Sequence, residues 1–366
     1  MRRMKIASSL VAVVLLLSAC SGGSDNNAVV VTDPPDGQQI DPTVDDSESK
    51  AALQACTVTK PVTGRKVRIV TTVAPITSLV AGIAGDGNIQ INGIIPEGTN
   101  SHTYEPPPSA AAQVEDADVV FVNGLGLEDP TIDLVANVAP NAIVCEIGTA
   151  VLPRNNWLFD FSFPEEGGKP NPHIWTNPPM VLNMITVIRD VLAAIDPDNM
   201  AKYDDNYVKM SQIISGLDAA MIEASATVPE ASRKLLTYHD AYAYFAVHFK
   251  YQVIGAIQPQ SFEEPSTKDI ADLIKQVKEE GVKAIFGSEV FPSPVLEQIG
   301  KEAGVRYIDV LRDDDLLGKP GDSEHSWADL MKFNYVTMVE ALGGDASALE
   351  KFNTASGIPD KAIYAQ

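Results

Sequence analysis

Between Asp196 and Pro229 a single apolar stripe runs without interruption. Met200, Tyr203, Tyr207, Met210, Ile214, Leu217 and Met221 follow one another at alternating spacings of three and four residues. That period lines one face of an α-helix. Asp196 stands where a cap is needed, Pro197 suits the first helical turn, and Pro229 ends the segment. A helix over residues 197–228 extends on the order of 45 Å at the standard rise per residue. That is long enough to pack along two bodies. The stripe reads as core rather than as a partner-binding face, so the helix is expected to be a stiff connector. A preceding helix is expected over Pro179–Ile195.

What flanks this rod alternates between strand and helix. On the N-terminal side, strands are predicted over Val67–Thr72, Ile89–Ile95, Asp118–Asn123 and Ala142–Glu146, with helices between them. On the C-terminal side the strands are Leu235–Tyr238, Val253–Ile257, Lys283–Phe286 and Arg306–Leu311, and a last helix starts near Ser326. Short apolar strands alternating with helices imply a mostly parallel sheet covered on both faces. The fold class is therefore α/β, with two βα lobes joined by a long rigid backbone helix. The 366 residues accommodate this with a tail to spare. The expected boundaries are a leader at 1–19, an acidic tether at 20–64, lobes at 65–196 and 229–366, and the connecting helix at 197–228.

Arg2, Arg3 and Lys5 precede the apolar run Ile6–Leu16, which is short for a bilayer span. Leu17-Ser18-Ala19-Cys20 then resembles a bacterial lipobox, in which the cysteine is lipidated and becomes the new N-terminus. The expected location is extracytoplasmic, anchored to a membrane through Cys20. From Ser21 to about Thr63 the chain is rich in Asp, Ser, Pro and Gly and poor in large apolar residues, too poor to offset its ordering entropy. Cys56 and Cys145 are left as an even pair. Outside the cytoplasm they are expected to close a disulfide, the alternative being two buried thiols. The net charge of −22 disfavours nucleic acid.

The chemistry rests on three of only five histidines. His102 lies in a loop after a strand, His173 just before a helix, and His239 at the end of the second lobe's first strand. Open α/β sheets bind ligands beyond the carboxyl ends of their strands, so His102 and His239 are placed to face one cleft. Converging imidazoles suit a borderline-soft divalent ion. Asp313-Asp314-Asp315 also follows a strand and can add an anionic ligand. His248 and His325 are lesser candidates.

Gly98-Thr99-Asn100-Ser101-His102-Thr103-Tyr104-Glu105-Pro106 resembles the pattern Gly-Thr-x-Pro-His-x-Tyr-Glu-Pro. Asn171-Pro172-His173-Ile174-Trp175 resembles Asp-Pro-His-x-Trp, and His239-Asp240-Ala241-Tyr242-Ala243-Tyr244-Phe245 resembles His-Asp-Ala-Phe-x-Tyr-Phe. Glu264-Pro265-Ser266 and the run from Val119 to Glu128 fit the same pattern. The chain thus resembles the zinc/manganese substrate-binding lipoproteins of bacterial ABC importers, from Val67 to the last helix. The resemblance implies a non-enzymatic, monomeric protein that binds metal between its lobes and delivers it to a permease. The implied ligands are His102, His173, His239 and Asp314, with Asp313 or Asp315 chosen instead by a one-residue slip. Ser101 replaces the usual proline and Asn171 an aspartate, neither expected to ligate. The segment Val151–Asn171 has Glu165 and Glu166 but lacks the histidines many zinc-type relatives carry there.

Manganese-binding relatives resemble one another in a glutamate at the third ligand position. Here it is His239, and three nitrogens with one oxygen suit zinc better than manganese. A manganese- or iron-binding member and a metal-binding adhesin are the alternatives. A zinc hydrolase is disfavoured, because four protein ligands leave no open position for water. Gly124-x-Gly126 has Asp129 where a dinucleotide loop has its third glycine, which would repel a pyrophosphate.

Overall fold

The computed structural model describes residues 46–257, 266–288 and 294–366. The leader, Cys20, the first part of the tether and Glu264-Pro265 lie outside the described residues.

Two four-stranded sheets form the frame. The first contains β1 (Val67–Thr71), β2 (Ile89–Gly93), β3 (Val119–Val122) and β4 (Ile143–Glu146), in the order β2-β1-β3-β4. The second contains β5 (Lys234–Thr237), β6 (Gln252–Ala256), β7 (Ala284–Ser288) and β8 (Arg306–Leu311), in the order β6-β5-β7-β8. Every pairing among these strands is parallel. Strand β3 is Val-Val-Phe-Val and wholly buried, as a central strand covered on both faces requires.

The first lobe carries helices α1 (Ser47–Ala55), α2 (Ala74–Ala84), α3 (Pro108–Val114), α4 (Asp129–Val138) and α5 (Ile147–Val151). Two connectors follow, α6 (Pro178–Ile195) and α7 (Met200–Thr227). The second lobe carries α8 (Ala243–Phe249), α9 (Thr267–Glu280), α10 (Pro294–Ala303), α11 (Trp327–Ala341) and α12 (Ser347–Lys351). Among the described residues α6 is the one helix long and apolar enough to cross a membrane, but half of it is buried inside the protein, as in a core helix.

The rod α7 is somewhat shorter than expected, 28 residues or about 42 Å. A 3-10 turn at Pro197–Asn199 precedes it. Asp196 does not cap a helical N–H with its side chain. Its Oδ2 accepts from the Tyr203 hydroxyl at 2.5 Å and from Asn199 Nδ2 at 2.9 Å, which pins the α6–α7 turn. Tyr203, Met210, Ile214, Leu217 and Met221 are buried, whereas Met200 at the helix start is 49% exposed.

One continuous apolar core spans both lobes. Trp327, Leu330 and Tyr335 of α11 and Phe245 of α8 belong to the same cluster as Ile76, Leu79 and Trp175. The Trp327 backbone N–H donates to Ser78 Oγ at 2.9 Å and its indole Nε1 to the Trp175 carbonyl at 3.0 Å. The outer side of the second sheet has a separate small cluster that includes Leu236, Ile254, Val277, Ile285 and Leu296.

Both expected lobe boundaries need correction. Residues 46–64 are not a free tether. Helix α1 packs against β4 and α5. Cys56 is disulfide-bonded to Cys145 of β4, with an S–S distance of 2.06 Å. Val62 N–H donates to the Ile195 carbonyl at 2.9 Å. A segment too polar to build a core can still order itself on a neighbour that supplies one. At the other end the chain returns to the first lobe. Ile363 N–H donates to Ile91 O at 2.9 Å, and Gly93 N–H to Ile363 O at 2.8 Å, so the tail extends the exposed edge of β2. The second lobe does not hold residues up to 366.

Candidate metal centre

The loops beyond the carboxyl ends of the strands build the site. His102 lies in a 3-10 turn, Ser101–Thr103, after β2, and Asn100 Oδ1 accepts its backbone N–H at 3.0 Å. The Tyr104 hydroxyl donates to the Ile94 carbonyl at 2.9 Å and closes this loop onto its strand.

His173 precedes α6 and is held from behind by the turn after β3. Asn123 Nδ2 donates to the Pro172 carbonyl at 2.9 Å. That turn is itself fastened by Glu128, whose carboxylate accepts from Thr72 Oγ1 at 2.6 Å, Asn123 N at 2.9 Å and Gly124 N at 3.0 Å. Gly124 has φ +79°, and an added Cβ would lie 2.3 Å from Thr149 Oγ1, so only glycine fits. The Val119–Glu128 motif is therefore a support for the His173 loop. Asp129, placed where a dinucleotide loop has glycine, pairs with Lys169 at 2.5 Å.

The three imidazoles converge. His102 Nε2 lies 3.1 Å from His173 Nε2 and 3.0 Å from His239 Nε2. These separations are close to the ~3.3 Å edge of a tetrahedron drawn with zinc–nitrogen bonds of about 2.0 Å. The outer nitrogens have their own partners. His173 Nδ1 faces Asn171 Oδ1 at 2.8 Å, and His239 Nδ1 contacts Asp313 Oδ2. An Nδ1–H donated outward leaves Nε2 with its lone pair directed inward, the tautomer a metal ligand needs. Burial, and next the neighbouring imidazoles, hold His102 and His173 well below the usual histidine range, so both are neutral near pH 7. Burial lowers His239 too, but the Asp313 carboxylate, with Asp314 and Asp240, outweighs it and holds that ring above its ordinary value.

The three consecutive aspartates do three different things. Asp313 is used up: one oxygen meets His239 and the other accepts from Ser288 Oγ at 3.1 Å. Asp315 Oδ2 accepts Gly98 N–H at 2.7 Å, which ties the His102 loop to the second lobe. Burial, then Asp314, pushes its carboxyl up to about 7. Asp314 is 6% exposed; its Oδ2 accepts the Ser101 hydroxyl, and its Oδ1 is buried without a hydrogen-bond partner. Burial pushes it up to about 6, against the opposing His239 charge and the Ser101 hydrogen bonds. The structure brings together His102, His173 and His239, whose donor atoms all lie within 4.8 Å of one another. Asp314 stands beside that set rather than inside it. His248 and His325 lie elsewhere: His248 Nε2 pairs with Asp218 of α7 at 2.6 Å, and His325 Nδ1 donates to the Leu317 carbonyl at 2.9 Å.

Two residues of the site escape sequence reasoning. Ser101 reads as a neutral replacement, yet its hydroxyl is committed to Asp314. Phe163 covers the site, its ring centroid 5.4 Å from His102 and 5.8 Å from His173. The available signal is the alternation Trp157-Leu158-Phe159-Asp160-Phe161-Ser162-Phe163, a period-two aromatic run too close to His173 to be a lobe strand. Ser162 N–H donates to Asp240 Oδ2 at 2.9 Å and Asn171 Nδ2 to Asp160 Oδ2 at 2.8 Å, so this run is fastened to the His239 and His173 loops. Glu165 and Glu166 of the same segment are exposed.

A family model described as zinc-uptake complex component A, periplasmic, matches residues 69–341. The chain belongs to this family. Members are extracytoplasmic metal-binding substrate-binding components of ABC importers, transport proteins rather than enzymes. A manganese-binding lipoprotein, MntA, of Halalkalibacterium halodurans is 30% identical over 281 residues, which cover 76% of this chain and 89% of that protein. An iron-binding protein, YfeA, of Yersinia pestis is 27% identical over 262 residues, 71% of this chain and 81% of that one. The fold is that of the periplasmic zinc-binding protein TroA from Treponema pallidum, with a TM-score of 0.68 at 23% identity over 76% of this chain and 99% of that one.

Proposed function

We propose that this family member captures zinc in preference to manganese, on His102, His173, His239 and Asp314, and hands it to the permease of an ABC importer. The observation that carries the reading is the convergence of three imidazoles: His102 Nε2 lies 3.1 Å from His173 Nε2 and 3.0 Å from His239 Nε2, and the outer nitrogens of His173 and His239 are already engaged. With the outer nitrogens protonated, the Nε2 lone pairs are aimed at a common point where a cation can sit. Asp314 is chosen over its neighbours because it alone of the three has a buried oxygen without a hydrogen-bond partner. Three nitrogens and one oxygen match zinc, whereas manganese favours oxygen-rich sites. The 30%-identical manganese-binding relative supports a second reading, in which manganese is the cargo.

Cargo release runs through loops rather than through rotation of the lobes, because one apolar core joins them and α7 stiffens the connection. The chain works as a monomer, held at the membrane by a lipid on Cys20, and a Cys20→Ala change releases it into the soluble fraction.

Competition titration of metal-free protein is the decisive test. Zinc is expected to displace manganese. His239→Ala is expected to weaken zinc binding by on the order of a hundredfold, about 3 kcal/mol, which is one ligand's share of a four-ligand site. Undiminished zinc affinity in that variant would falsify the site as drawn, and tighter manganese binding in the parent chain would select the second reading.

A further inference from the structure

Ser101 stands where the resembling sequences have proline, a residue with neither a hydroxyl nor a backbone N–H to give. Here the side chain is 2% exposed and its hydroxyl donates to Oδ2 of Asp314. A buried hydroxyl needs a partner, and a buried carboxylate oxygen gains from a donor, so each fixes the other. The remaining oxygen, Oδ1, is buried and has no hydrogen-bond partner. Asp313 cannot take its place without breaking its bonds to His239 and Ser288, and Asp315 is committed through Oδ2 to the Gly98 N–H.

We infer that Ser101 is a specificity-determining residue: by holding Oδ2 of Asp314 it leaves the cation one carboxylate oxygen instead of two. The inference rests on reading the histidine cluster as the metal site. One oxygen with three imidazole nitrogens makes four donors, the number zinc prefers. A carboxylate free to bind through both oxygens raises the number and the oxygen share, which suits harder ions such as manganese. Ser101 thus biases the site through Asp314, without touching the ion. Its position next to His102 lets one short loop contribute a ligand and set the denticity of another.

The test uses the full chain, metal-free, with Zn²⁺, Mn²⁺ and Co²⁺ as probes. In the parent chain, Co²⁺ is expected to give the intense visible absorption of a four-coordinate ion. Ser101→Ala takes the hydroxyl off Oδ2 and leaves only the backbone N–H of residue 101 toward Asp314, so the cobalt bands weaken and the zinc-over-manganese preference falls about tenfold, equal to ~1.4 kcal/mol. Ser101→Thr keeps the hydroxyl and is expected to restore both the spectrum and the preference. Parental bands and preference in Ser101→Ala overturn the inference. Zinc-edge X-ray absorption on the parent chain decides the question even if Ser101→Ala fails to fold: four donors at about 2.0–2.1 Å support it, and five or more overturn it. A parent chain that takes up neither Zn²⁺ nor Co²⁺ overturns the metal reading itself, an outcome distinct from a bound ion with the wrong coordination number.

Discussion

The two lobes share a strand order and differ in how they are held. In the first sheet all three ladders run without a break in register. In the second, the β5–β6 and β7–β8 ladders both shift, between Leu235 and Leu236 and between Phe286 and Ser288. The first lobe is further braced by the Cys56–Cys145 bond, by α1, and by the returning C-terminal tail on β2. The second sheet rests one face on the shared core and the other on a small satellite cluster. Two of the proposed ligand loops, those of His102 and His173, belong to the braced half, while His239 and Asp314 come from the looser one. The comparison teaches where movement is cheapest. For a metal held on the proposed ligands, release is expected to displace the second lobe's loops more than the first's.

The largest way to break that contrast is to remove the brace. The disulfide closes 89 residues, so replacing both cysteines by alanine is expected to cost the first lobe about 4.6 kcal/mol on the loop-entropy account. Zinc affinity should hardly change, because the bond ties the end of α1 to β4 and not to a histidine loop. Denaturant unfolding and zinc titration of the same sample check both halves of the statement. A large loss of affinity would mean that the brace reaches the site.

Deleting residues 361–366 comes next. It removes the backbone bonds of Ile363 to Ile91 and Gly93, and the burial of Tyr364, whose ring lies 4.5 Å from that of His325. It also removes the Gln366 amide from Glu97, which accepts Leu316 N–H at 2.9 Å from the second lobe. The expected loss is about 3 kcal/mol, from one large side chain and a few hydrogen bonds. Because Glu97 adjoins the His102 loop, zinc should also pass to a chelator faster. Unchanged stability would show the tail to be an ornament on β2.

How much of this is legible in the chain alone divides along the same physical line. The strands are legible because runs such as Val119–Val122 can only be buried, and α7 because its stripe keeps helical period. The convergence of His102, His173 and His239 is legible because each sits in a distinctive local motif. What stays hidden depends on distant partners. Helix α1 is polar enough to read as solvent-exposed, and only its bond to Cys145 and its packing on β4 order it. The pairing of Ile363 with β2 joins residues from opposite ends of the fold. Three identical aspartates in a row offer no local pattern to separate them. Their division into support, candidate ligand and clasp is set by which backbone and hydroxyl groups surround each one. Ser101 looks like a mere loss of proline until its partner is visible.

The smallest of these effects sits in the braced lobe. Glu128 is 2% exposed and receives three hydrogen bonds, yet burial, with Glu146 adding its charge, pushes its carboxyl up to about 7. An unfolded glutamate ionises near about 4.3. Between those values the native state holds more of the proton than the unfolded one, so the stability this group contributes is complete below about 4.3 and is lost as pH rises through 7. The loss from pH 5 to 7 is about 2 kcal/mol, given at most ~1.4 kcal/mol per pH unit for one proton. Glu128→Gln removes the titration, although its amide would face the Gly124 N–H and so lower stability at every pH. The difference in unfolding free energy between the metal-free parent and this variant cancels the other acids. It should be widest near pH 5 and narrow toward pH 7 and above. Parallel profiles would show that the Thr72, Asn123 and Gly124 donors keep Glu128 ionised throughout, making the first lobe rigid in charge as well as in shape.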